Sequence, residues 1–304
     1  MIVASAADFL AAYAPERYPP RAPATPRGAF LVTPLGFSLA AESAQDNRYM
    51  AMAQAADEAR ALRQHAALAR ALSATLPVAS FPGDAATPDA VFPNNVFGTA
   101  PGVAVVGRMR HAVRRREAAR ADIRAWFTDV LRYRLVDLSA LEGVAELTGA
   151  LVIDRARGIG YCGLSERCDL AGARAMHAAF GLRLTYCFAL APGEYHANVV
   201  LSVYAGRACA IAPGGFADPA DAEAIASVYA PRVLRLDGGQ CGCYCGNGIA
   251  LSGDTVWMSE RAADALAPAQ RAALADWGFA LRSAPLDELE KAGGSLRCCV
   301  GEVF

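Results

Sequence analysis

The sequence has almost no net charge and no long apolar segment. Its 29 Lys and Arg residues nearly balance 30 Asp and Glu residues, which leaves a net charge of -1 and a pI near 6.4. Such a chain offers no basic surface for nucleic acid and no cationic face for anionic lipid. No apolar run reaches the ~18 residues that a membrane-spanning helix requires. We therefore expect a small-molecule partner, no nucleic acid and no membrane.

Signals for secretion are missing as well. Residues 1–14 contain no basic region, and their apolar part is interrupted by Asp8. The nine cysteines are an odd number scattered along 304 residues, which is typical of reduced thiols rather than of a disulfide framework. These absences predict a cytoplasmic protein, and no pattern in the chain indicates its oligomeric state.

Apolar residues, by contrast, make up 54% of the chain, which is enough for a large core. Residues 1–28 differ from the rest, because a short predicted helix over 5–13 is followed by a Pro-rich run from Pro15 to Pro26 that excludes helix and central strand. We expect residues 1–28 to form an N-terminal Pro-rich extension, a tail or a strap, and residues 29–304 to form a single domain.

From residue 29 onward, signals for strands, helices and turns recur in a regular order. Residues 102–138 predict a strand, an amphipathic helix over 113–133 and a closing strand. Three later stretches each predict a β-hairpin, then a helix, then a further strand: residues 151–188, 198–236 and 248–283. The shared module is ββαβ. Internal repeats of this size are typical of radial or stacked folds.

A fifth module follows if the two ends of the chain combine. Residues 296–304 would supply its opening strands, and residues 29–81 would supply a strand, a long helix over 40–73 and a closing strand. A ring closed in this way needs no capping repeat. The sequence therefore predicts an α/β fold of five modules around a central pore.

One polar residue precedes each module, in a loop marked by Gly, Pro or Asn. These residues are separated by 50 or 51 positions: Asn95, Glu146, His196, Asn247 and Cys298. Equivalent positions of a closed ring lie at the same end of it, so we expect these side chains to converge. A thiol, an imidazole and a carboxylate are the parts of a cysteine hydrolase or transferase: nucleophile, general acid/base and a group that orients substrate or base.

Cys298 is the predicted nucleophile, because the flexible Gly293-Gly294 pair would leave its thiol at the mouth of a strand. A core position remains open for it, since free cysteines are among the most buried residues. Cys299 would point the other way in an extended segment and pack in the core. His196 is the predicted acid/base. The other histidines fall in predicted helices and are expected at the surface: His65, His111 and His177.

Five blocks, in this order, resemble the signature blocks of the arginine deiminase-like (pentein, or amidinotransferase) superfamily: Pro88-Asp89-Ala90-Val91-Phe92-Pro93-Asn94-Asn95, Glu146-Leu147-Thr148-Gly149, Tyr195-His196-Ala197-Asn198-Val199, Tyr244-Cys245-Gly246-Asn247 and Gly293-Gly294-Ser295-Leu296-Arg297-Cys298. The match covers residues 29–304 and is most similar to the citrulline-utilisation hydrolase branch, relatives of dimethylarginine dimethylaminohydrolase and glycine amidinotransferase. The resemblance implies a pentein catalytic domain, a five-bladed α/β propeller of ββαβ modules with pseudo-fivefold symmetry.

The resemblance also implies a Cys-His-Glu set, here Cys298, His196 and Glu146, that cuts a C–N bond of a ureido or guanidino compound without metal or cofactor. The thiol would form an S-linked intermediate, His196 would protonate the departing nitrogen and activate water, and Glu146 would accept hydrogen bonds from substrate N–H groups. An amidinotransferase that uses the same cysteine and a non-catalytic ligand-binding pentein are the alternatives.

Departures from the superfamily's pattern bear on the substrate. Deiminases that bind a guanidinium usually carry one acid where Asn95 stands and another just after the glutamate block, at Ala150. Leu147 stands where a glycine normally follows the glutamate. With both acids missing, a neutral, citrulline-like ureido group is favoured over an arginine-like guanidinium.

Four further interpretations concern polar side chains near these blocks. Asn95 and Asn247 would contact the substrate or form turns. Asp89 would bind substrate or anchor its loop. Arg167 would pair with a substrate carboxylate, or else form a surface salt bridge.

Two other patterns are assigned to structure rather than chemistry. The alternate cysteines Cys241, Cys243 and Cys245 lack the wider Cys-x2-Cys spacing and the fourth ligand of a zinc site, so we expect packing. The run Arg114-Arg115-Arg116 is followed by acids at helical spacing and is interpreted as a solvated helix face.

Overall fold

Sixteen strands form five small sheets in the computed structural model, which describes residues 1–304. The strands, in chain order, are β1 (Ile2–Val3), β2 (Gly28–Val32), β3 (Val78–Phe81), β4 (Phe97–Ala100), β5 (Val103–Val106), β6 (Arg134–Asp137), β7 (Leu151–Asp154), β8 (Ile159–Leu164), β9 (Leu184–Ala189), β10 (Leu201–Tyr204), β11 (Ala208–Ile211), β12 (Val233–Arg235), β13 (Ile249–Ser252), β14 (Thr255–Ser259), β15 (Ala280–Ala284) and β16 (Gly301–Val303).

Each sheet contains an antiparallel pair followed by a strand parallel to the second member of that pair. Their orders are β16-β2-β3, β4-β5-β6, β7-β8-β9, β10-β11-β12 and β13-β14-β15. One sheet joins the two ends of the chain, because β16 pairs with β2 and places Gly301 opposite Phe30. The mixed α/β organisation and the combination of the two chain ends agree with the sequence prediction.

Helices lie between the strands, and most of them are short. They are α1 (Ala6–Ala12), α2 (Glu58–Ser73), α3 (Ala112–Ala118), α4 (Ala121–Ala125), α5 (Leu147–Ala150), α6 (Leu170–Ala179), α7 (Ala197–Val200), α8 (Pro219–Tyr229), α9 (Gly238–Gly242), α10 (Glu260–Ala265), α11 (Pro268–Asp276), α12 (Asp287–Glu290) and α13 (Leu296–Cys299). Single 3-10 turns occur at Ser43–Gln45, Pro88–Val91, Pro93–Asn95 and Pro213–Gly215, and a π turn at Trp126–Val130. None of the helices is both long and apolar enough to cross a membrane.

The predicted helix over 40–73 is wrong in its first half. Helix α2 begins at Glu58, where the Asp57 side chain accepts a hydrogen bond from the backbone N–H of Arg60. Residues 40–57, which we call the 40–57 segment, are irregular apart from one 3-10 turn. Their alanine-rich composition favours helix, but Ser43 and Asn47 are buried and bind other parts of the chain, and these tertiary contacts prevail.

Other predicted helical features also differ. The helix expected over 113–133 is divided into α3, α4 and the π turn. Arg114 is not on a solvated face: it is 3% exposed, because its guanidinium binds both carboxylate oxygens of Glu117 at 2.9 and 3.0 Å. Two histidines predicted at the surface, His65 and His111, are buried, whereas His177 is half-buried.

The N-terminal extension lies against the sheet β7-β8-β9. Strand β1 pairs in parallel with β9, with Ile2 opposite Thr185, and becomes the fourth strand of that sheet. Phe9, fully buried on α1, stacks on Tyr186 with ring centroids 4.7 Å apart. Further along, the backbone N–H of Arg21 donates to the Ala156 carbonyl at 2.8 Å. Residues 2–21 are therefore tied to this sheet by backbone and aromatic contacts.

A single helical turn precedes four of the sheets: Pro93–Asn95 precedes β4, and α5, α7 and α13 precede β7, β10 and β16. These turns contact one another: α5 touches both α7 and the Pro93–Asn95 turn, which in turn touches α13. Cys298 thus lies in a helical turn rather than at the mouth of a strand, and the predicted strand start at Asn198 is also helical. The turns bring the polar residues at the start of the sheets to one place.

Candidate active site

The Glu146 carboxylate and the His196 imidazole form a fully buried pair. His196 Nε2 lies 2.9 Å from Glu146 Oε2, and neither side chain is exposed to solvent. Arg167 Nη1 donates to the same oxygen at 3.1 Å. Burial opposes ionisation of the carboxyl, but the charge of Arg167 and the hydrogen bond from His196 outweigh it and hold the pKa of Glu146 well below its usual range.

This pairing determines which imidazole nitrogen carries the proton. An ionised carboxylate can only accept, so Nε2 of His196 carries the hydrogen and donates it to Glu146. Burial lowers the pKa of His196, against the opposing influence of Glu146, and therefore favours the neutral ring. Nδ1 of that ring is an unprotonated acceptor, and it has no hydrogen-bond partner. The site thus contains a buried nitrogen base with a free lone pair.

Gly149 provides the space for the ring. A Cβ atom added at Gly149 would lie 2.7 Å from both Cε1 and Nδ1 of His196, closer than any real Cβ contact. Residue 149 lies on the turn α5, which begins one residue after Glu146. The same short turn therefore supplies the partner of the imidazole and the surface against which the imidazole packs.

The Cys298 thiol is held by two asparagine amides. Asn247 Nδ2 lies 3.4 Å from Sγ and Asn198 Nδ2 lies 3.8 Å from it. Asn247 is itself fixed, because its amide also donates to the Asn198 carbonyl at 2.8 Å and accepts from the Arg297 N–H at 3.0 Å. Burial raises the pKa of Cys298 in spite of these donors, so the group is a thiol at neutral pH.

The thiol lines a small cavity. The polar side chains around this cavity come from several elements and include two residues of the 40–57 segment: Ser43, Asn47, Asp89, Asn95, Arg114 and Arg167. Four of the seven residues predicted for the site therefore line the cavity: Cys298, Asn95, Asp89 and Arg167. The Glu146–His196 pair is connected to the cavity by Arg167, which lines the cavity and donates a hydrogen bond to Glu146. Asn247 contacts the Cys298 thiol.

Two buried acceptors in the cavity wall lack partners. Asp89 is 2% exposed, and its Oδ2 accepts a hydrogen bond from Ser43 Oγ at 2.5 Å whereas its Oδ1 accepts none. Burial raises the pKa of Asp89 despite the nearby charge of Arg114. Asn95 Oδ1 is also buried without a donor. Such atoms are satisfied at low cost by the N–H groups of a ligand.

Arg167 is fully buried and not at the surface, and its donors are occupied. Nη1 binds Glu146, Nη2 donates to the Ser43 carbonyl at 3.0 Å, and Nε and Nη2 lie 2.9 and 2.5 Å from Asp46 Oδ1. A substrate carboxylate, the partner suggested by the sequence, would have to displace one of these acceptors. Glu146 also has partners other than those expected, since His196, Arg167 and the backbone N–H of Arg110 engage its oxygens.

Sequence reasoning missed several contributors. Asn198 stands two positions after His196, inside a block that resembles the superfamily, and this was the available signal. Ser43, Asp46 and Asn47 gave none, because they lie in a stretch whose composition is helical. The alternate cysteines have separate surroundings: Cys241 Sγ lies 3.5 Å from Tyr49 OH, and Cys245 Sγ 3.2 Å from the Ala262 carbonyl. No three His, Cys, Asp or Glu side chains are arranged for a metal ion.

The sequence also matches a known protein family. The family model described as "N,N dimethylarginine dimethylhydrolase, eukaryotic" matches residues 33–304. The chain belongs to this family and thereby to the pentein superfamily, which confirms the resemblance found in the sequence. The family consists of hydrolases that act on C–N bonds other than peptide bonds. Among curated proteins, none matches the sequence significantly.

Solved structures of the superfamily share the mixed α/β fold. The N-terminal domain of ArgZ, an arginine dihydrolase from cyanobacteria, bound to product, has a TM-score of 0.79 at 20% identity and covers 91% of this chain and 97% of that one. Unliganded AgrE gives 0.79 at 20% identity, covering 91% of this chain and 39% of its own. An adduct of dimethylarginine dimethylaminohydrolase with 4-chloro-2-hydroxymethylpyridine gives 0.70 at 21% identity, covering 91% and 100%.

Proposed function

We propose that this protein is a cysteine hydrolase that cuts a C–N bond of a ureido or guanidino compound through an S-linked covalent intermediate. The observation that carries the proposal is the position of Cys298: its thiol, held by two amides, lines the same buried cavity as the open acceptors of Asp89 and Asn95. A variant of the ArgZ N-terminal domain has been seen covalently bound to a reaction intermediate, which supports the covalent step.

The first half of the reaction forms the S-linked intermediate. Cys298 Sγ attacks the central carbon of the ureido or guanidino group, and its proton passes to Nδ1 of His196, the free acceptor. The tetrahedral adduct then collapses, and the departing nitrogen takes the proton from the imidazolium. No hydrogen bond joins the thiol to the imidazole in the free protein, so their approach takes place in the substrate complex.

The second half returns the enzyme to its starting state. Nδ1 of His196 accepts a proton from water as the water oxygen attacks the intermediate, and the thiol leaves with that proton. Glu146 acts by orienting the ring and stabilising the imidazolium, and Arg167 fixes Glu146. Glu146 and Arg167 are therefore positioning residues in this scheme, which differs from the substrate contact that the sequence suggested for Glu146.

The cavity wall favours a neutral head group. Asn95 stands where guanidinium-binding relatives carry an acid, and its side-chain amide offers both an acceptor and a donor to a ureido group. Ala150, at the other missing acid, is fully buried and contributes no charge. A buried guanidinium would need compensating negative charge, because an unpaired ion away from water costs several kcal/mol. We therefore propose a citrulline-like ureido substrate in preference to an arginine-like one.

The five sheets, in this proposal, form the closed five-bladed propeller of penteins. Contacts of β10 with both β7 and β13 and of β16 with β4 support a ring. At the two remaining junctions helical turns make the connection: α5 contacts β4 and β7, and α13, which precedes β16, contacts β14. The division into an extension, residues 1–28, and a catalytic domain, residues 29–304, belongs to the same proposal. So does a cytoplasmic location, which the nine unpaired cysteines support.

Two experiments separate hydrolysis from the alternatives. Mass spectrometry of protein quenched during turnover of citrulline should show a substrate-dependent adduct on Cys298; absence of an adduct together with absence of turnover would favour a ligand-binding protein. Product analysis with and without candidate amines should show water as the acceptor. Transfer to an added amine would instead favour an amidinotransferase that uses the same cysteine.

A further inference from the structure

A pocket lined by arginines lies at the far end of the strands from Cys298. Strands β4, β7 and β16 each begin at or next to one of the short turns that carry the candidate active-site residues, and residues near their other ends line the pocket: Ala100, Ile153 and Phe304. A strand of three or four residues spans roughly 10 Å. A molecule bound in this pocket, which we call the arginine pocket, would therefore not touch the reacting groups.

Arginine is the only charged residue type in the wall of the arginine pocket. Four arginines line it, and no Asp or Glu does: Arg21, Arg155, Arg157 and Arg183. Arg157 Nη1 donates to Asp154 Oδ2 at 2.7 Å, so the charge of Arg157 is paired. Arg183 donates to two backbone carbonyls and Arg21 is exposed, and neither forms an ion pair. The wall therefore carries a surplus of positive charge.

Arg155 is the arginine best placed to receive an anion. Its side chain is 10% exposed, and its guanidinium lies 4.3 Å from the ring centroid of Phe304 and 5.4 Å from that of Phe180. Nη1 donates to the Thr99 carbonyl at 2.7 Å, whereas Nε and Nη2 form no hydrogen bond. These two nitrogens form an edge of the guanidinium that can bind a carboxylate through two parallel hydrogen bonds. The main-chain oxygen of Phe304 accepts from the Tyr133 hydroxyl rather than from Arg155.

The charge of Arg155 is only partly compensated within the protein. Glu302 Oε2 lies 3.7 Å from Arg155 Nη2, too far for a hydrogen bond, and the same oxygen accepts from Arg297 Nη2 at 2.8 Å. Burial lowers the pKa of Arg155 to about 10 in spite of Glu302, which still leaves a cation at neutral pH. A buried cation without a counter-ion of its own is unfavourable, and an anion bound to it would relieve this.

The rest of the wall is largely apolar and leaves room for a small molecule. Its apolar side chains include Pro23, Ile153, Phe180, Leu182 and Phe304. The pocket has a volume of about 210 Å³, compared with the ~30 Å³ that one water molecule occupies in the liquid. A ligand that covers these side chains gains from the burial of apolar surface. The pocket therefore favours a ligand that joins an anionic group to an apolar body.

We propose that the arginine pocket is a binding site for a small organic carboxylate. The carboxylate group binds the open Nε–Nη2 edge of Arg155, with Arg183 adding to the positive charge, and the apolar body lies against Phe180 and Leu182. The site is independent of the reaction proposed for Cys298, because the pocket and the thiol lie at different ends of the strands.

Isothermal titration calorimetry with three probes tests the class of ligand: phenylacetate, the neutral phenylacetamide of nearly the same shape, and inorganic phosphate. Phenylacetate should bind the wild-type protein at least tenfold more tightly than phenylacetamide, which lacks the charge that Arg155 requires. It should also bind at least tenfold more tightly than phosphate, which buries no apolar surface. Equal affinity for either competitor, or no binding of phenylacetate in the millimolar range, would overturn the proposal.

Two variants test which residues hold the carboxylate. Arg155→Gln removes the charge, so the affinity for phenylacetate should fall at least tenfold. Because Arg155 packs against two aromatic rings, the half-buried Arg183 provides a second variant, and Arg183→Gln should weaken binding a few-fold. The matched control is Arg232→Gln, which removes an exposed arginine outside the pocket and should leave the affinity unchanged. An affinity that neither Arg155→Gln nor Arg183→Gln lowers would refute the site.

Titration of Cys298→Ala protein with phenylacetate distinguishes the arginine pocket from the candidate active site. The variant should bind phenylacetate as tightly as the wild type, since the ligand does not reach the thiol. Loss of binding in Cys298→Ala would place the ligand at the active site and contradict the proposal.

Discussion

The two sides of the cavity are built in different ways. One side is formed by residues that recur at the start of the sheets, among them His196 and Cys298, and the short turns that carry them contact one another. The other side is formed by the 40–57 segment, which has no regular structure beyond one 3-10 turn. The sheets and their turns hold the first side, whereas the second is held by side-chain pairs such as Asp46–Arg167 and Ser43–Asp89 and by one backbone bridge, between Met50 and Ala292.

This difference suggests that the two sides have different roles, one in the reaction and the other in substrate binding. The turn residues are fully buried and rigidly supported, which is what reacting groups need to keep their geometry. The 40–57 segment contributes Ser43 and Asn47 to the cavity wall and belongs to none of the five sheets, so its contacts can change without disturbing a sheet. Substitutions on the first side should therefore act on kcat, and substitutions on the second side on KM and substrate preference.

The largest effect is expected at the nucleophile. Cys298→Ala should lower turnover on the order of 10⁴-fold or more while the fold remains intact, because no other group can form the S-linked intermediate. Cys299→Ala is the matched control, since Cys299 is equally buried but packs in the core. It should cost about 1–2 kcal/mol of stability and retain turnover. Initial rates and thermal unfolding check both, and equal loss of activity in the two variants would refute the assignment.

Gly149→Ala should have the next largest effect. The added Cβ would overlap the His196 ring, so Nδ1 would leave the position from which it accepts protons, and kcat should fall on the order of 10²- to 10⁴-fold. Gly253→Ala serves as the control, because a Cβ there meets nothing within 4 Å. Steady-state kinetics on both proteins, with circular dichroism to confirm folding, measure the difference. A fully active Gly149→Ala protein would show that the ring position does not matter.

The pH dependence of kcat/KM should reflect the titration of the His196 imidazole. The mechanism needs His196 neutral, so kcat/KM should fall as the pH drops through the pKa of this ring, about tenfold per pH unit. Burial lowers that pKa, which places the acid limb below the usual imidazole range near ~6.5. His196→Ala should lower the rate and remove the limb. A rate that is flat from acid to alkaline pH in the wild type would contradict the role of the thiol–imidazole pair.

The contrast between the periodic turns and the 40–57 segment explains which parts of the site the sequence could predict. The residues at the start of the sheets share a spacing of 50 or 51 positions, so one pattern predicted that Asn95, Glu146, His196, Asn247 and Cys298 lie near one another. Their exact partners were not predictable, because the attachment of Glu146 to His196 rather than to substrate depends on side-chain orientation. The 40–57 segment occurs once and has no period, and its helical composition concealed Asp46. The prediction that Arg114 lies on a solvated helix face was wrong. A run of charged residues indicates a solvated face, and the sequence does not show that Arg114 pairs with the buried Glu117.

Asn95 is the exception on the first side of the cavity, because it belongs to one of the turns but presents an open acceptor to the cavity. Its substitution should therefore change substrate preference as well as rate. Asn95→Asp removes an amide donor and adds a charge, so it should weaken ureido turnover and improve guanidinium binding. The ratio of kcat/KM for citrulline and arginine should move by about 1–3 kcal/mol, roughly 5- to 150-fold, which is typical of one buried polar mismatch. If the wild type already prefers arginine, or the ratio does not move, Asn95 does not sense substrate charge.

The smallest effect is expected at a side-chain bond that attaches the 40–57 segment through residues that do not line the cavity. The Tyr49 hydroxyl lies 2.9 and 2.8 Å from the two carboxylate oxygens of Glu194, two residues before His196. Tyr49→Phe removes this donor and keeps the ring, so it should cost about 1 kcal/mol of attachment and raise KM roughly fivefold with little change in kcat. Tyr186→Phe removes a tyrosine–aspartate bond to Asp221, a pair that does not line the cavity, and should leave KM unchanged. A fall in kcat as large as that of Gly149→Ala would show that the 40–57 segment also positions the reacting groups. The two sides of the cavity would then not have separate roles.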